Sequence, residues 1–211
     1  MESTELCEIM GRYGSDKGHS DISKSWHNYT LIYYKLFKEL KDKRVRIFEM
    51  GLGTNNPSVP SNMCWLNGGS PGASLRGWTE FFPNGVAYGA DIDKGCLFQT
   101  DRIKTYYCDQ TNSEEIKKMW NERELWEPFD IIIDDGLHEA FANICFFENS
   151  IFKLKRGGYF IIEDLLEETV ISLMGKLDEW KIKYPEIKFD LVKVPSYVNN
   201  IDNNLLIAHY K

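Results

Sequence analysis

Phe129-Asp130-Ile131-Ile132-Ile133-Asp134-Asp135-Gly136-Leu137-His138 and Tyr159-Phe160-Ile161-Ile162-Glu163-Asp164 are the two stretches that decide the fold of this chain. Each is a short apolar run rich in β-branched and aromatic residues, as expected of a strand covered on both faces, and each stops abruptly on carboxylates. Parallel neighbouring strands lie roughly 4.8 Å apart, so acids at their C-terminal ends can converge on one point. Carboxylates pushed together repel unless a proton or a cation sits between them. An oxygen-rich cluster without thiolates suits Mg²⁺, Mn²⁺ or Ca²⁺. His138, three residues after Asp135, is placed to work beside such an ion. Taken singly, each acid is equally well explained as a helix cap or a solvated loop residue, with Asp134 or Asp135 capping a helix that begins near His138. Four acids and a histidine at matched strand ends point further, to a metal-assisted enzyme, because open α/β sheets bind ligands at their strand C-termini.

Outward from these runs the same rhythm repeats. Residues 45–48 read as a strand ending at Glu49, residues 86–90 as one ending at Asp91, and residues 106–108 as one ending at Asp109. Helical patterns cover residues 113–120, 140–154 and 165–180, and an aromatic helix is expected over residues 23–40. Alternating strands and helices imply an α/β fold with a mostly parallel, Rossmann-like sheet. Residues 188–194 and 205–209 leave too little room for a crossover helix between them, so they are expected as an antiparallel C-terminal edge hairpin. The chain reads as a single domain of residues 1–211, with residues 1–43 an N-terminal helical segment. Residues 54–78 are too long for an ordinary strand-to-helix connection and rich in Gly, Asn, Pro and Ser, which suggests an active-site lid loop.

Composition narrows the function. The 211 residues carry a net charge of −7 with no long basic run, which argues against nucleic acid as a partner. Five scattered cysteines without C-x-x-C spacing argue for free thiols in a reducing compartment. The first residues lack a signal-peptide pattern and no run is long enough for a membrane span, so a soluble, cytoplasmic protein is expected. The aromatic N-terminal helix is a candidate face for a homodimer or higher homo-oligomer.

Strand one runs into Glu49-Met50-Gly51-Leu52-Gly53-Thr54. Glycines there allow a sharp turn and close approach of a ligand to the backbone. Gly-x-Gly alone is a weak signal, but acids recur at the next two strand ends. Asp91 can accept both hydroxyls of a ribose, and Asp109 with Gln110 can read an adenine edge. A nicotinamide dinucleotide fold is the rival; it wants a third glycine at position 56, where this chain has Asn56.

The pattern resembles the class I S-adenosylmethionine-dependent methyltransferases. More narrowly it resembles the metal-dependent macrocin- and mycinamicin-type sugar O-methyltransferases, with relatives in bacterial polysaccharide and capsule clusters. The likeness runs through Tyr13-Gly14-Ser15-Asp16-Lys17-Gly18, His27-Asn28-Tyr29, Gly72-Ala73-Ser74-Leu75-Arg76-Gly77-Trp78, Tyr88-Gly89-Ala90-Asp91-Ile92-Asp93, Asp134-Asp135-Gly136-Leu137-His138 and Glu163-Asp164. The resemblance implies that Asp135, Glu163 and Asp164 hold Mg²⁺ or Mn²⁺ and that His138 is the general base, with Asp135 beside it in catalysis. It implies that Glu49, Gly51, Gly53, Asp91 and Asp109 hold S-adenosylmethionine, assisted by Ser74, Arg76, Gln110 and Asp134. By that resemblance the chain is expected to depart from the family in standing without the additional N-terminal domain of the macrolide enzymes and in the length of its segment 55–72. Both departures bear on the acceptor: a hydroxyl of a sugar, sugar nucleotide or capsular polysaccharide precursor, or alternatively an ionised phosphate or phosphoramidate oxygen. A histidine in the first turn of a helix is biased toward neutrality by the helix dipole, the state a base needs. His27 is expected to be packed or capping, with the resemblance raising the chance of a pocket role, and His209 to be structural.

Overall fold

The computed structural model describes residues 2–64 and 69–211. Helices α1 (Glu5–Tyr13) and α2 (Tyr29–Phe37) lead into strand β1 (Arg46–Met50). There follow α3 (Ala73–Phe81), β2 (Val86–Asp91), β3 (Ile103–Tyr107), α4 (Ser113–Trp120), β4 (Phe129–Asp134), α5 (Ala140–Glu148), β5 (Leu154–Ile162), α6 (Glu167–Lys183), β6 (Ile187–Lys193) and β7 (Asn204–Tyr210). The strands form one sheet in the order β3-β2-β1-β4-β5-β7-β6. Strands β1 to β5 pair in parallel, and β7 runs antiparallel to both β5 and β6. This is the expected α/β sheet with its antiparallel C-terminal hairpin.

Side chains alternate across the sheet. Phe48, Ile132, Phe160 and Ile162 face a core closed by Trp120 of α4, Phe146 and Phe147 of α5 and Trp180 of α6. Ile47, Ile131, Ile133 and Ile161 face the opposite core, closed by Met10 of α1, Tyr29, Tyr33 and Phe37 of α2 and Trp78 and Phe81 of α3. With both faces of the central strands buried, the apolar runs are continuous rather than alternating.

The register sets the strand tips level. Met50 pairs with Asp134, and Asp134 with Ile162. The ladder then continues one step, with Asp135 N donating to Met50 O at 2.8 Å and Glu163 N to Asp134 O at 2.9 Å. Gly51, Asp135 and Glu163 therefore leave the sheet side by side.

Several boundaries differ from the sequence reading. The aromatic helix starts at Tyr29, not near residue 23; Ile22–Lys24 is a single 3-10 turn, and residues 25–28 lie outside the helix. The Ser25 hydroxyl is spent on the His27 carbonyl and Asn28 Nδ2 reaches Pro195 O at 3.0 Å, so this stretch is tied to the β6–β7 connection. Helix α5 ends at Glu148 with Asn149 as its cap, and Leu154 opens β5, which shortens the helix expected to residue 154. The segment expected as a loop to residue 78 already becomes α3 at Ala73, its entry made by Gly72 in the left-handed conformation. Residues 65–68 of that segment lie outside the described residues. Tyr29, Tyr33 and Phe37 are wholly buried against their own sheet and α3, so these three rings face the interior. Among the described residues, no helix is long and apolar enough to cross a membrane, and all five cysteines are free.

Candidate functional site

A cavity of about 770 Å³ lies over the C-terminal ends of the parallel strands, a size suited to a small-molecule ligand. Its walls include the Gly51–Gly53 turn, Asp91, Asp109 and Gln110, residues 14–19 and 24–27, and Asp202, together with Asp135, His138 and Asp164.

The glycine turn is built for close approach. Gly51 and Gly53 have φ of +89° and +73°, where side chains are disfavoured. Asp91 holds the turn: its Oδ2 accepts from Leu52 N and its Oδ1 from Asp93 N, both at 2.8 Å. Each carboxylate oxygen keeps further lone-pair capacity for a ligand, and burial raises the Asp91 pKa. Asp109 Oδ1 accepts from the backbone and hydroxyl of Thr111, shaping the third strand's exit.

Several of the expected cofactor residues also brace the structure, and Glu49, Ser74 and Gln110 do so while lining the cavity. Glu49 is buried; its oxygens accept from Ser74 Oγ at 2.5 Å and Trp78 Nε1 at 2.8 Å, locking α3 to β1. Gln110 donates to Asp134 Oδ1 at 2.6 Å and accepts from Leu137 N at 2.9 Å, so both ends of its amide are engaged. Asp134 also accepts from Asn143 Nδ2 at 3.0 Å and is fully buried; burial pushes its pKa up to about 6. Asp134, Arg76 and Glu163 are not among the residues that wall the cavity. The Arg76 guanidinium binds Pro71 O at 2.7 Å and lies 4.2 Å from the Phe98 ring centroid, bracing the entry to α3.

The acids after β4 and β5 do converge. Ligand atoms of Asp135, His138 and Asp164 all lie within 4.8 Å of one another. His138 Nε2 is 3.2 Å from Asp135 Oδ1 and 3.6 Å from Asp164 Oδ2. Glu163 lies outside this group. Its Oε2 is 2.5 Å from Lys17 Nζ and its Oε1 accepts from the Tyr33 hydroxyl. Asp164 is tethered similarly, its Oδ1 accepting from the Tyr29 hydroxyl at 2.7 Å and lying 3.5 Å from His27 Nε2. Tyr29 and Tyr33 are one helical turn apart on α2, so one helix face reaches two consecutive acids. Burial and the neighbouring carboxylates raise both phenols, which keeps them donors.

His138 is not in a helix. α5 begins at Ala140, with Glu139 at its cap, so neither Asp134 nor Asp135 caps it and its dipole is not what tunes the imidazole. Burial pulls the His138 pKa down, but Asp164, Asp135 and Asp134 outweigh it and raise it to about 10. His138 and Asp164 both occupy left-handed backbone, with φ of +64° and +54°. Non-glycine residues persist there only when surrounding contacts impose it, and such positions cluster at functional sites.

Lys17, Tyr29 and Tyr33 hold positions at the site that no pattern in the sequence announces. Lys17 is 2% exposed and touches Asp135 and Glu163. Its only sequence signal is its place in the glycine-punctuated Gly14-Ser15-Asp16-Lys17-Gly18. His27 is buried, stacked on Tyr29 at 4.7 Å, with Nδ1 3.1 Å from Asn203 Oδ1; it is packed, and it also walls the cavity. His209 stacks on Tyr159 at 4.4 Å, away from the site.

No protein-family model matches the chain. Over 76% of its length it is 30% identical to 8-demethyl-8-(2-methoxy-alpha-L-rhamnosyl)-tetracenomycin-C 3'-O-methyltransferase of Streptomyces olivaceus. Over 97% of its length it is 28% identical to mycinamicin VI 2''-O-methyltransferase of Micromonospora griseorubida. Over 76% it is 32% identical to demethylmacrocin O-methyltransferase of Streptomyces fradiae. The chain spans 37%, 50% and 36% of those three proteins, half their length or less. Among solved structures it is similar to the MycE methyltransferase of the mycinamycin biosynthetic pathway, in complex with Mg and SAH. That similarity has a TM-score of 0.71 and 25% identity, covering 99% of this chain and 55% of the other.

Proposed function

The chain is a homologue of the macrocin, mycinamicin and tetracenomycin sugar O-methyltransferases, and from that premise and the site's geometry we propose that it transfers a methyl group from S-adenosylmethionine to a sugar-type hydroxyl with the help of a divalent cation. The observation that carries the reading is the convergence of Asp135, His138 and Asp164 in the wall of the same cavity that the glycine turn and the strand-end acids line.

Asp91 would hold the ribose hydroxyls of S-adenosylmethionine, Asp109 its adenine and the backbone of Gly51 and Gly53 its amino-acid end, since these residues line the cavity at the tips of β1, β2 and β3. Asp16, Lys24, Trp26, His27 and Asp202, which also line it, would take the acceptor. Trp26 there offers an aromatic face of the kind that packs on a sugar ring. Asp135 and Asp164, joined by Glu163, are the oxygen donors for Mg²⁺ or Mn²⁺, a donor set whose chemistry fits a hard cation. Such an ion, when bound, polarises the acceptor hydroxyl and offsets the carboxylate field around His138. His138 Nε2 would receive the hydroxyl proton as the oxygen bonds to the methyl carbon and the carbon–sulfur bond breaks, its electron pair staying on sulfur so that S-adenosylhomocysteine leaves. Alignment of the two substrates in one cavity supplies a further share of the rate. The finer acceptor proposed is a sugar nucleotide or capsular precursor.

The test is a thermal-shift comparison of S-adenosylhomocysteine and NAD⁺, each with and without Mg²⁺, followed by methyl transfer to a glycoside panel before and after EDTA. Stabilisation by S-adenosylhomocysteine and metal-restored transfer are expected. Stabilisation by NAD⁺ instead would revive the dinucleotide reading, and full transfer after rigorous metal stripping would leave the acids as structural partners of Lys17, Tyr29 and Tyr33.

A further inference from the structure

Lys17 is a buried charge that the proposed reaction does not use. Its ammonium lies 2.5 Å from Asp135 Oδ2, 2.5 Å from Glu163 Oε2 and 3.6 Å from Glu49 Oε1, so a single cation bridges the tips of β1, β4 and β5. The main chain around it is pinned. His27 N donates to Asp16 O and Thr30 N to Lys17 O, both at 3.1 Å. A Cβ on Gly18 would fall 2.1 Å from Thr30 Oγ1, so the chain lies directly on α2 there. A buried ammonium is tolerated only when paired, and three carboxylates supply the pairing.

Its effect on the acids is unequal. Asp135 gives Oδ2 to Lys17 and keeps Oδ1 turned to His138. Glu163 gives Oε2 to Lys17 and Oε1 to Tyr33, and so has neither oxygen in the convergent group. Asp164 instead contacts Tyr29, His27 and His138, and it remains in the group.

We propose that Lys17 is an internal competitor for the divalent cation, a positioning residue that withholds Asp135 Oδ2 and Glu163 and thereby sets the affinity of the site. The inference rests on the metal reading given above. A hard cation collects about six oxygen ligands, and each oxygen tied to an ammonium is one it has to win. A divalent ion among these carboxylates would also be repelled by the lysine only a few ångströms away. Replacing the ammonium by an apolar side chain of similar length frees two carboxylates and removes the like charge. A lysine that merely holds the fold predicts the opposite, a looser site and weaker binding.

The experiment is a titration of the metal-stripped protein with Mn²⁺, read by calorimetry and by loss of the free-ion paramagnetic resonance signal, without cofactor. Lys17→Met, checked for folding by circular dichroism, should bind at least about tenfold tighter than wild type. Tyr33→Phe releases only one oxygen of Glu163 and unpairs no charge, and it should bind about two- to threefold tighter. If Lys17→Met fails to fold, the decision passes to Tyr33→Phe and to the lysine ammonium resonances of the ¹⁵N-labelled wild type, in which the buried Lys17 signal should shift on adding Mg²⁺. Wild-type binding with no gain in Lys17→Met overturns the competition alone, as does unchanged Tyr33→Phe affinity with an unmoved Lys17 resonance. Absence of Mn²⁺ binding in every form overturns the metal reading and the competition with it.

Discussion

Gly51→Ala should damage the cofactor turn and the metal acids in one stroke, because Gly51 is where the two touch. Its φ of +89° is open to glycine, and an ideal Cβ there would sit 1.9 Å from the Asp135 carbonyl oxygen and 2.5 Å from its carbon. Contacts under 3.0 Å are essentially never seen for a Cβ, so the two backbones would have to part by about 1 Å. Both are main chain, so no side chain can swing aside. Parting them strains or breaks the bond from Asp135 N to Met50 O, now 2.8 Å. Left-handed backbone costs an alanine about 1–2 kcal/mol, and loss of one buried backbone hydrogen bond about 1–3 kcal/mol more. A destabilisation of about 2–5 kcal/mol is therefore expected. Urea unfolding followed by tryptophan fluorescence measures it, and Mn²⁺ titration of the folded fraction should show affinity reduced about tenfold or more as Asp135 is displaced. An unchanged urea midpoint together with unchanged Mn²⁺ affinity would refute the claim that the turn and the β4 tip share one tight contact.

Asp91→Asn presents an amide donor to one of the two backbone donors that Asp91 now satisfies, Leu52 N and Asp93 N. Loss of a charged acceptor is worth about 1.5–3 kcal/mol, so calorimetry should show S-adenosylhomocysteine binding weakened by one to two decades; undiminished binding would move the ribose elsewhere. His138→Ala should lower kcat by about 10²–10⁴-fold with a hydroxyl acceptor, and the wild-type rate should rise with pH and then level off. A loss under about tenfold would favour an acceptor oxygen that is already ionised. Burial pushes the Cys108 thiol up to about 12, and burial with Asp91 and Asp93 does the same to Cys96, whereas Cys64 is exposed. Iodoacetamide at pH 8 should therefore label Cys64 in the native protein and leave Cys96 and Cys108 protonated and unlabelled until denaturant is added; mass spectrometry after brief treatment would show the contrary.

Apolar periodicity and strand-end chemistry are local properties, and this is why the sheet could be read from the chain alone. The runs at β4 and β5 are continuous because both faces are buried, and the short gap between the last two strands allows only an antiparallel return. The positions of Asp135, His138 and Asp164 follow from the same logic, since parallel strands in register must end side by side. Local pattern could not show what each acid faces. Glu49 and Asp134 are strand-end acids like Asp91, yet Glu49 is held by α3 and Asp134 by Gln110 and Asn143. Which carboxylate oxygens are engaged within the protein depends on how α3 and α5 pack, a matter of contacts between residues distant in sequence. The state of His138 was equally hidden: proximity to α5 suggested a dipole effect, but its nearest charges are Asp135 and an acid 26 positions downstream. Above all, only the tertiary structure could bring Lys17 to Glu163 across 146 residues. A lone lysine between glycines carries no periodic signal, and its burial becomes affordable only once three strands have delivered their carboxylates around it.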